Sequence, residues 1–171
     1  PRVLAAMTVM AGELGRITRE RVQAELSKLV LGVHPRRAIE LMVDRLAAKL
    51  GKDPVALRRE YVRHERMRAV LDRVAAAGAW GRSMPAGTAQ GIAIHKEYKG
   101  AAAVLVEIDC RPQTVNRKVR DAYTGPRVTK VVCAVDTGLP INPLGIKAQI
   151  TGGIMDGICQ ALSYSLHLQD G

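Results

Sequence analysis

The residues best suited to chemistry lie between Val131 and Leu162, in the stretch VVCAVDTGLPINPLGIKAQITGGIMDGICQAL. Gln149 carries a hydrogen-bond donor and an acceptor on one side chain. Gly152 and Gly153 follow one turn later, and then Gly157. A glycine inside a helix is about 1 kcal/mol less favourable than an alanine, so this clustering needs a reason. Either another backbone packs very close, or a bulky ligand lies against the helix. The plainer reading is a buried helix packed tightly on a sheet. His95 is a second candidate, as an acid or base. A strand histidine in a polar contact is the plainer reading there.

The elements that must position these groups follow from spacing. Val131 to Val135 is apolar and β-branched, which suits a strand buried on both faces. Asp136 and Gly138 end it, and Pro140 and Pro143 punctuate the connection. Ile146, Ile150, Ile154 and Ile158 then predict a helix over Ile146 to Ala161. Upstream, Ala86 to Gln90 reads as a turn-rich connection. Gly91 to His95, Ala101 to Asp109 and Arg127 to Val135 read as strands, with Arg111 to Pro126 as a polar hairpin loop.

Three helices are predicted before the sheet. Ile39, Met42, Leu46 and Leu50 recur at helical spacing over Ala38 to Leu50, and Gly51 supplies the stop. Asp53 and Pro54 form an N-cap and first helical residue, with Leu57 and Tyr61 on the inner face. Glu65 to Ala77 places Met67, Val70, Leu71 and Val74 inward. The predicted fold class is therefore α+β: three N-terminal helices, then a mixed β-sheet packed by the Gly-rich helix. Residues 1–33 are left unassigned, with Val3 to Met10 and the stretch from Thr18 as short candidate elements. Ser163 to Leu168 reads as a further strand, Asp170-Gly171 as the start of a turn, and the chain is expected to stop inside a domain.

Composition narrows the classes. The chain has 171 residues, 47% of them hydrophobic, so it can bury a core. With four Tyr, one Trp and no Phe, alanine and valine must fill that core. The formal net charge of +10 permits an anionic cofactor, an acidic partner or nucleic acid. The basic residues are not interleaved with aromatics, as base stacking requires, so solvated helix faces are the plainer reading. Cys110, Cys133 and Cys159 form no CxxC and no cluster, and their count is odd, which argues against iron–sulfur ligation and a disulfide framework. Cys133 and Cys159 sit among apolar residues and read as buried and inert. No apolar run approaches a membrane span, which leaves the compartment, cytoplasmic or periplasmic, undecided.

Cys133-Ala134-Val135-Asp136-Thr137-Gly138, Ile141-Asn142-Pro143, and Ala148-Gln149-Ile150-Thr151-Gly152-Gly153-Ile154 with Gly157 together resemble the large subunit of the molybdenum hydroxylases. Xanthine dehydrogenase, aldehyde oxidase and isoquinoline 1-oxidoreductase belong to that family, and the last type is the most similar. Gly51-Lys52-Asp53-Pro54-Val55-Ala56-Leu57-Arg58, Trp80-Gly81 and Gly91-Ile92-Ala93-Ile94-His95 extend the resemblance over about Pro35 to Gly171. Leu31-Gly32-Val33-His34-Pro35 departs from it, because the family carries an Arg-containing, Gly-bearing loop there.

The resemblance implies that residues 34–171 are part of a molybdopterin-binding domain. It implies cofactor contacts at Asn142, Ala148, Gln149, Gly152 and Gly153. The cofactor is molybdopterin, of which the cytosine dinucleotide form is one variant. The implied reaction inserts a water-derived oxygen into an aldehyde or an N-heterocycle. The implied partners are an iron–sulfur subunit and the remainder of the large subunit. The family's catalytic glutamate lies in a Gly-Glu loop beyond the Gln-x-x-Gly-Gly helix, and Glu97 and Glu107 fit neither its spacing nor its context. The isolated chain is therefore expected to be inactive and to hold no molybdenum. A non-catalytic α+β binding module and a basic nucleic-acid-binding domain stand as the alternatives.

Overall fold

The computed structural model describes residues 35–120 and 124–163. The candidate elements in 1–33 and nearly all of the candidate strand Ser163 to Leu168 lie outside the described residues. Among the described residues, five helices and three strands run in the order α1 (Pro35–Leu50), α2 (Pro54–Tyr61), α3 (Glu65–Ala77), β1 (Thr88–Glu97), β2 (Gly100–Asp109), α4 (Pro112–Val115), β3 (Arg127–Asp136) and α5 (Pro143–Leu162). The class is α+β, helices first and sheet second, as the patterning requires.

Local chemistry sets the helix ends. Gly51 adopts φ +63°, so its own N–H and that of Lys52 turn back onto the carbonyls of Ala48 and Ala47 at 3.2 and 2.9 Å. Asp53 Oδ1 accepts from the N–H groups of Val55 and Ala56, both at 2.9 Å, and caps α2. Its Oδ2 accepts from Trp80 Nε1 at 2.7 Å, which ties the end of the third helix to the start of the second.

The sheet is antiparallel throughout the described residues, in the order β1-β2-β3. This corrects the mixed sheet expected from sequence: both connections between described strands return the chain antiparallel. Ile92, Leu105 and Val132 align across the three strands, as do Ile94, Ala103 and Ala134. These rows face α3, whose Val70, Leu71, Val74 and Ala75 complete the core with Val55 and Val62. Leu105 and Leu71 have no solvent exposure. Gly78 makes the approach possible, since a Cβ there would stand 2.5 Å from Leu105 Cδ1.

The helix that packs the sheet is thus α3, not the Gly-rich α5 as predicted. No residue of α5 is fully buried. The opposite sheet face, with Val104, Val106, Val131 and Cys133, is only half-buried, so the two-sided burial expected for Val131 to Val135 is not reached within the described residues. Thr88 to Gln90 belong to β1 rather than to a turn, and the loop after β2 contains the short α4. Between Glu107 and Ile108 the register shifts. Thr129 is the extra residue, and its hydroxyl donates to the Glu107 carbonyl at 3.3 Å.

The apolar stripe of α1 faces away from the core. Ile39, Met42, Leu46 and Leu50 are all exposed, whereas Glu40 and Ala47 are buried. The cause is a buried guanidinium. Arg58 has no solvent exposure. Its Nη2 and Nε donate to Glu40 Oε2 at 3.0 and 3.1 Å, and Nη1 donates to Asp44 Oδ1 at 2.7 Å. Glu40 Oε2 also accepts from the Ile94 N–H at 2.9 Å. Burial opposes the charge on Arg58, but the two carboxylates outweigh it and raise its pKa. Burial raises the pKa of Asp44, against the pull of Arg58.

Candidate functional site

The stretch singled out by sequence is built from its base upward by hydrogen bonds. At the end of β3, Asp136 is gripped by Arg66 from the first turn of α3: Nε donates to Oδ2 at 2.6 Å, and Nη2 donates to Oδ1. Arg66 Nη1 also donates to the Lys99 carbonyl at 2.6 Å, in the turn between β1 and β2. Asp136 Oδ1 accepts in addition from the Gly138 N–H at 3.0 Å, where φ of +80° suits glycine. The Arg66 guanidinium, first, and the Gly138 amide hold the Asp136 carboxyl down at about 2. Asp136 is therefore an ionised anchor across the neutral range.

The connection and the first turn of α5 then display three aliphatic side chains. Leu139, Ile141 and Leu144 are 86%, 92% and 79% exposed. Asn142 closes the connection as the N-cap of α5, its Oδ1 accepting from the Gly145 N–H at 2.9 Å, and Pro143 occupies the first turn. The structure thus gives Asn142 a local capping role.

Gln149, Gly152 and Gly153 stand on one face of α5, and all three are exposed. Cβ atoms built at Gly152, Gly153 or Gly157 meet nothing within 4 Å. The close-packing explanation for these glycines therefore finds no partner among the described residues. Asp156 and Gln160 continue the same face, joined by a bond of 2.7 Å from Gln160 Nε2 to Asp156 Oδ2. Sequence reasoning passed over both, although 149, 153, 156 and 160 follow helical spacing. Ala148 is exposed one residue before Gln149. The opposite face, with Met155, Ile158 and Leu162, looks toward β3.

The other candidates are placed elsewhere. His95 is exposed on β1, opposite Ala102 and on the strand farthest from β3. Glu107 is buried on β2. Its Oε2 accepts from Arg82 at 2.8 Å and its Oε1 from Gln90 at 3.2 Å. Burial alone would raise its pKa, but these donors and Lys130 lower it. It is a structural anion rather than an acid or base. Asp109, bound by both the guanidinium and the N–H of Arg111, is held far below the carboxylate range. Arg66 was not singled out by sequence reasoning, since its partner lies 70 positions away.

The cysteines divide. Cys110 and Cys133 are half-buried, and burial pushes both thiols up. Cys159 is exposed, a correction to its expected burial: α5 turns that position away from the sheet. Among the described residues no group of three or more His, Cys, Asp or Glu could hold a metal ion. No described helix is long and apolar enough to cross a membrane.

Comparison with known proteins gives two results. Residues 1–49 match a family described as the probable RNA and SrmB-binding site of polymerase A. The chain is also similar to the isoquinoline 1-oxidoreductase subunit beta of Brevundimonas diminuta, at 31% identity over 138 residues. That alignment covers 78% of this chain and 16% of the relative, so the chain spans about a sixth of the relative's length. No solved structure matches the chain.

Proposed function

We propose that residues 34–171 form part of the large subunit of a molybdenum hydroxylase, with one face of α5 lying against molybdopterin. The observation that carries this reading is the open space beside Gly152, Gly153 and Gly157, in a helix where glycine is otherwise unfavourable. The residues fit such a group. Gln149 offers a donor and an acceptor at the edge of the open face. Gly152 and Gly153 let a flat ligand approach the backbone, and Ala148 adds little bulk beside them. Asn142 supports the site by capping α5. Arg66 and Asp136 fix the base of the connection that leads into it.

When bound, the cofactor supplies oxidation of an aldehyde or N-heterocycle with a water-derived oxygen. This segment's share is to bind and orient. The catalytic glutamate and the remaining cofactor contacts belong to the rest of the subunit, and electrons leave through an iron–sulfur subunit. The relative's name, isoquinoline 1-oxidoreductase, supports an oxidoreductase of this kind.

The test uses the complete subunit that contains this segment. Gly153→Val should remove molybdenum, measured by elemental analysis, while melting stays close to that of the parent. Gln149→Ala should lower turnover more than stability, since losing one ligand hydrogen bond costs only about 1 kcal/mol. A destabilised Gly153→Val protein with full metal, together with a fully active Gln149→Ala protein, overturns the proposal.

A second reading rests on the family match at residues 1–49. In it, the N-terminal segment contacts RNA, with the chain's net charge of +10 favouring association. Retention of labelled RNA that falls steeply with salt, and disappears when residues 1–34 are deleted, supports it. Salt-independent or absent retention removes it.

A further inference from the structure

A groove of about 390 Å³ runs between β3 and the C-terminal half of α5. It lies on the side of the helix away from Gln149 and Gly153, so it is separate from the face discussed above. Its helix wall is apolar: Met155, Ile158 and Leu162. Its rim carries Arg117, Arg127 and Lys130, and no acidic residue is among the described residues that line it.

The rim charge is poorly neutralised. Arg127 pairs with Asp109 along the ladder, but its side chain makes no hydrogen bond or ion pair among the described residues. Arg117 donates through Nη1 to two backbone carbonyls, Thr114 at 2.6 Å and Gly125 at 3.3 Å, and its Nε is out of contact with solvent and without an acceptor among the described residues. Lys130 Nζ stands 3.7 Å from Glu107 Oε1, and that carboxylate already holds Arg82 at 2.8 Å. Cations only partly neutralised at the mouth of an apolar cleft attract an anion whose body can fill the cleft.

We propose that this groove binds an amphipathic organic anion, a single carboxylate-type head on an apolar body. The head is held at Arg127 and Lys130, with Arg117 behind them. The body lies along Met155, Ile158 and Leu162. The reading stands whether or not the chain belongs to a molybdenum enzyme, because no cofactor contact enters it.

The experiment is calorimetric titration of the full chain with decanoate below its micelle concentration, with decanol and inorganic phosphate as comparison probes. Decanoate should bind saturably, and more weakly as salt is raised. Decanol and phosphate should each bind far more weakly, since each supplies half of the recognition. The Arg127→Gln, Lys130→Gln double variant should weaken decanoate about tenfold, as expected for losing charged hydrogen bonds. Met155→Glu, at a position 55% exposed and so tolerant of change, should abolish binding by placing a like charge in the cleft. Circular dichroism and melting must match the parent for both variants. If either variant melts early, the comparison of decanoate with decanol on the parent decides. Equal binding of decanoate and decanol, absence of saturable decanoate binding, or well-folded variants that bind like the parent overturns the proposal.

Discussion

Arg66 and Asp136 are 70 positions apart in the chain, yet they form a two-pronged ion pair that joins the first turn of α3 to the last residue of β3. The same guanidinium reaches the Lys99 carbonyl at 2.6 Å. One side chain therefore gathers the helix that packs the sheet, the hairpin turn, and the connection into the glycine helix.

The pair makes stability depend on acid in a defined way. The folded Asp136 carboxyl sits at about 2, below its ordinary value of 3.8. A depressed folded value contributes stability that is fully present above the unfolded value and lost as pH falls through the folded one. Asp136→Asn should therefore lower the urea midpoint at neutral pH. The difference from the parent should shrink between pH 4 and 2 and vanish below. A difference that persists unchanged at the acid end counts against the pair.

Arg58 should matter much more than an exposed cation. Arg58→Met strands Glu40 and Asp44 without their cation, a change that typically costs about 3–5 kcal/mol. Lys52 also forms an ion pair, with Glu60 at 2.7 Å, but both side chains are about half exposed. Lys52→Ala should cost less than about 1 kcal/mol. Urea unfolding of the two variants side by side checks the contrast.

Glycine-to-alanine changes should have opposite signs at two places. Gly78→Ala drives a Cβ to 2.5 Å from a fully buried Leu105 methyl, an overpacking that costs about 1–3 kcal/mol. Gly153→Ala meets open space and should stabilise the isolated chain by up to about 1 kcal/mol through helix propensity. Loss of stability at Gly153→Ala would show that something in the chain covers that face.

Thiol labelling should separate the cysteines by exposure. Cys159 should react first with a soluble disulfide reagent at neutral pH. Cys110 and Cys133 should lag, because burial both shields their thiols and disfavours the thiolate. Mass spectrometry of peptides from a time course gives the order.

Much of this chain is legible in its sequence, for physical reasons that act locally. The Gly51 stop and the Asp53-Pro54 cap are contacts within a few residues, and the structure has both. The inward set Val70, Leu71 and Val74 follows helical spacing and is buried. The alternation of Ala101, Ala103 and Leu105 places one face of β2 in the core. Tertiary structure alone decided the rest. An apolar stripe on α1 says that a helix has two faces, but not which one a neighbour takes. Glu40 and Asp44 turned the other face inward because Arg58 needed two carboxylates. Apolar residues on both faces of β3 say that both can be covered, but α3 covers only one. The glycines of α5 are visible as letters, and that nothing in the described chain fills the space beside them became visible only in three dimensions. Patterns report which surfaces can be buried, whereas the burial itself depends on partners distant in sequence, whose choice is set by the whole packed arrangement.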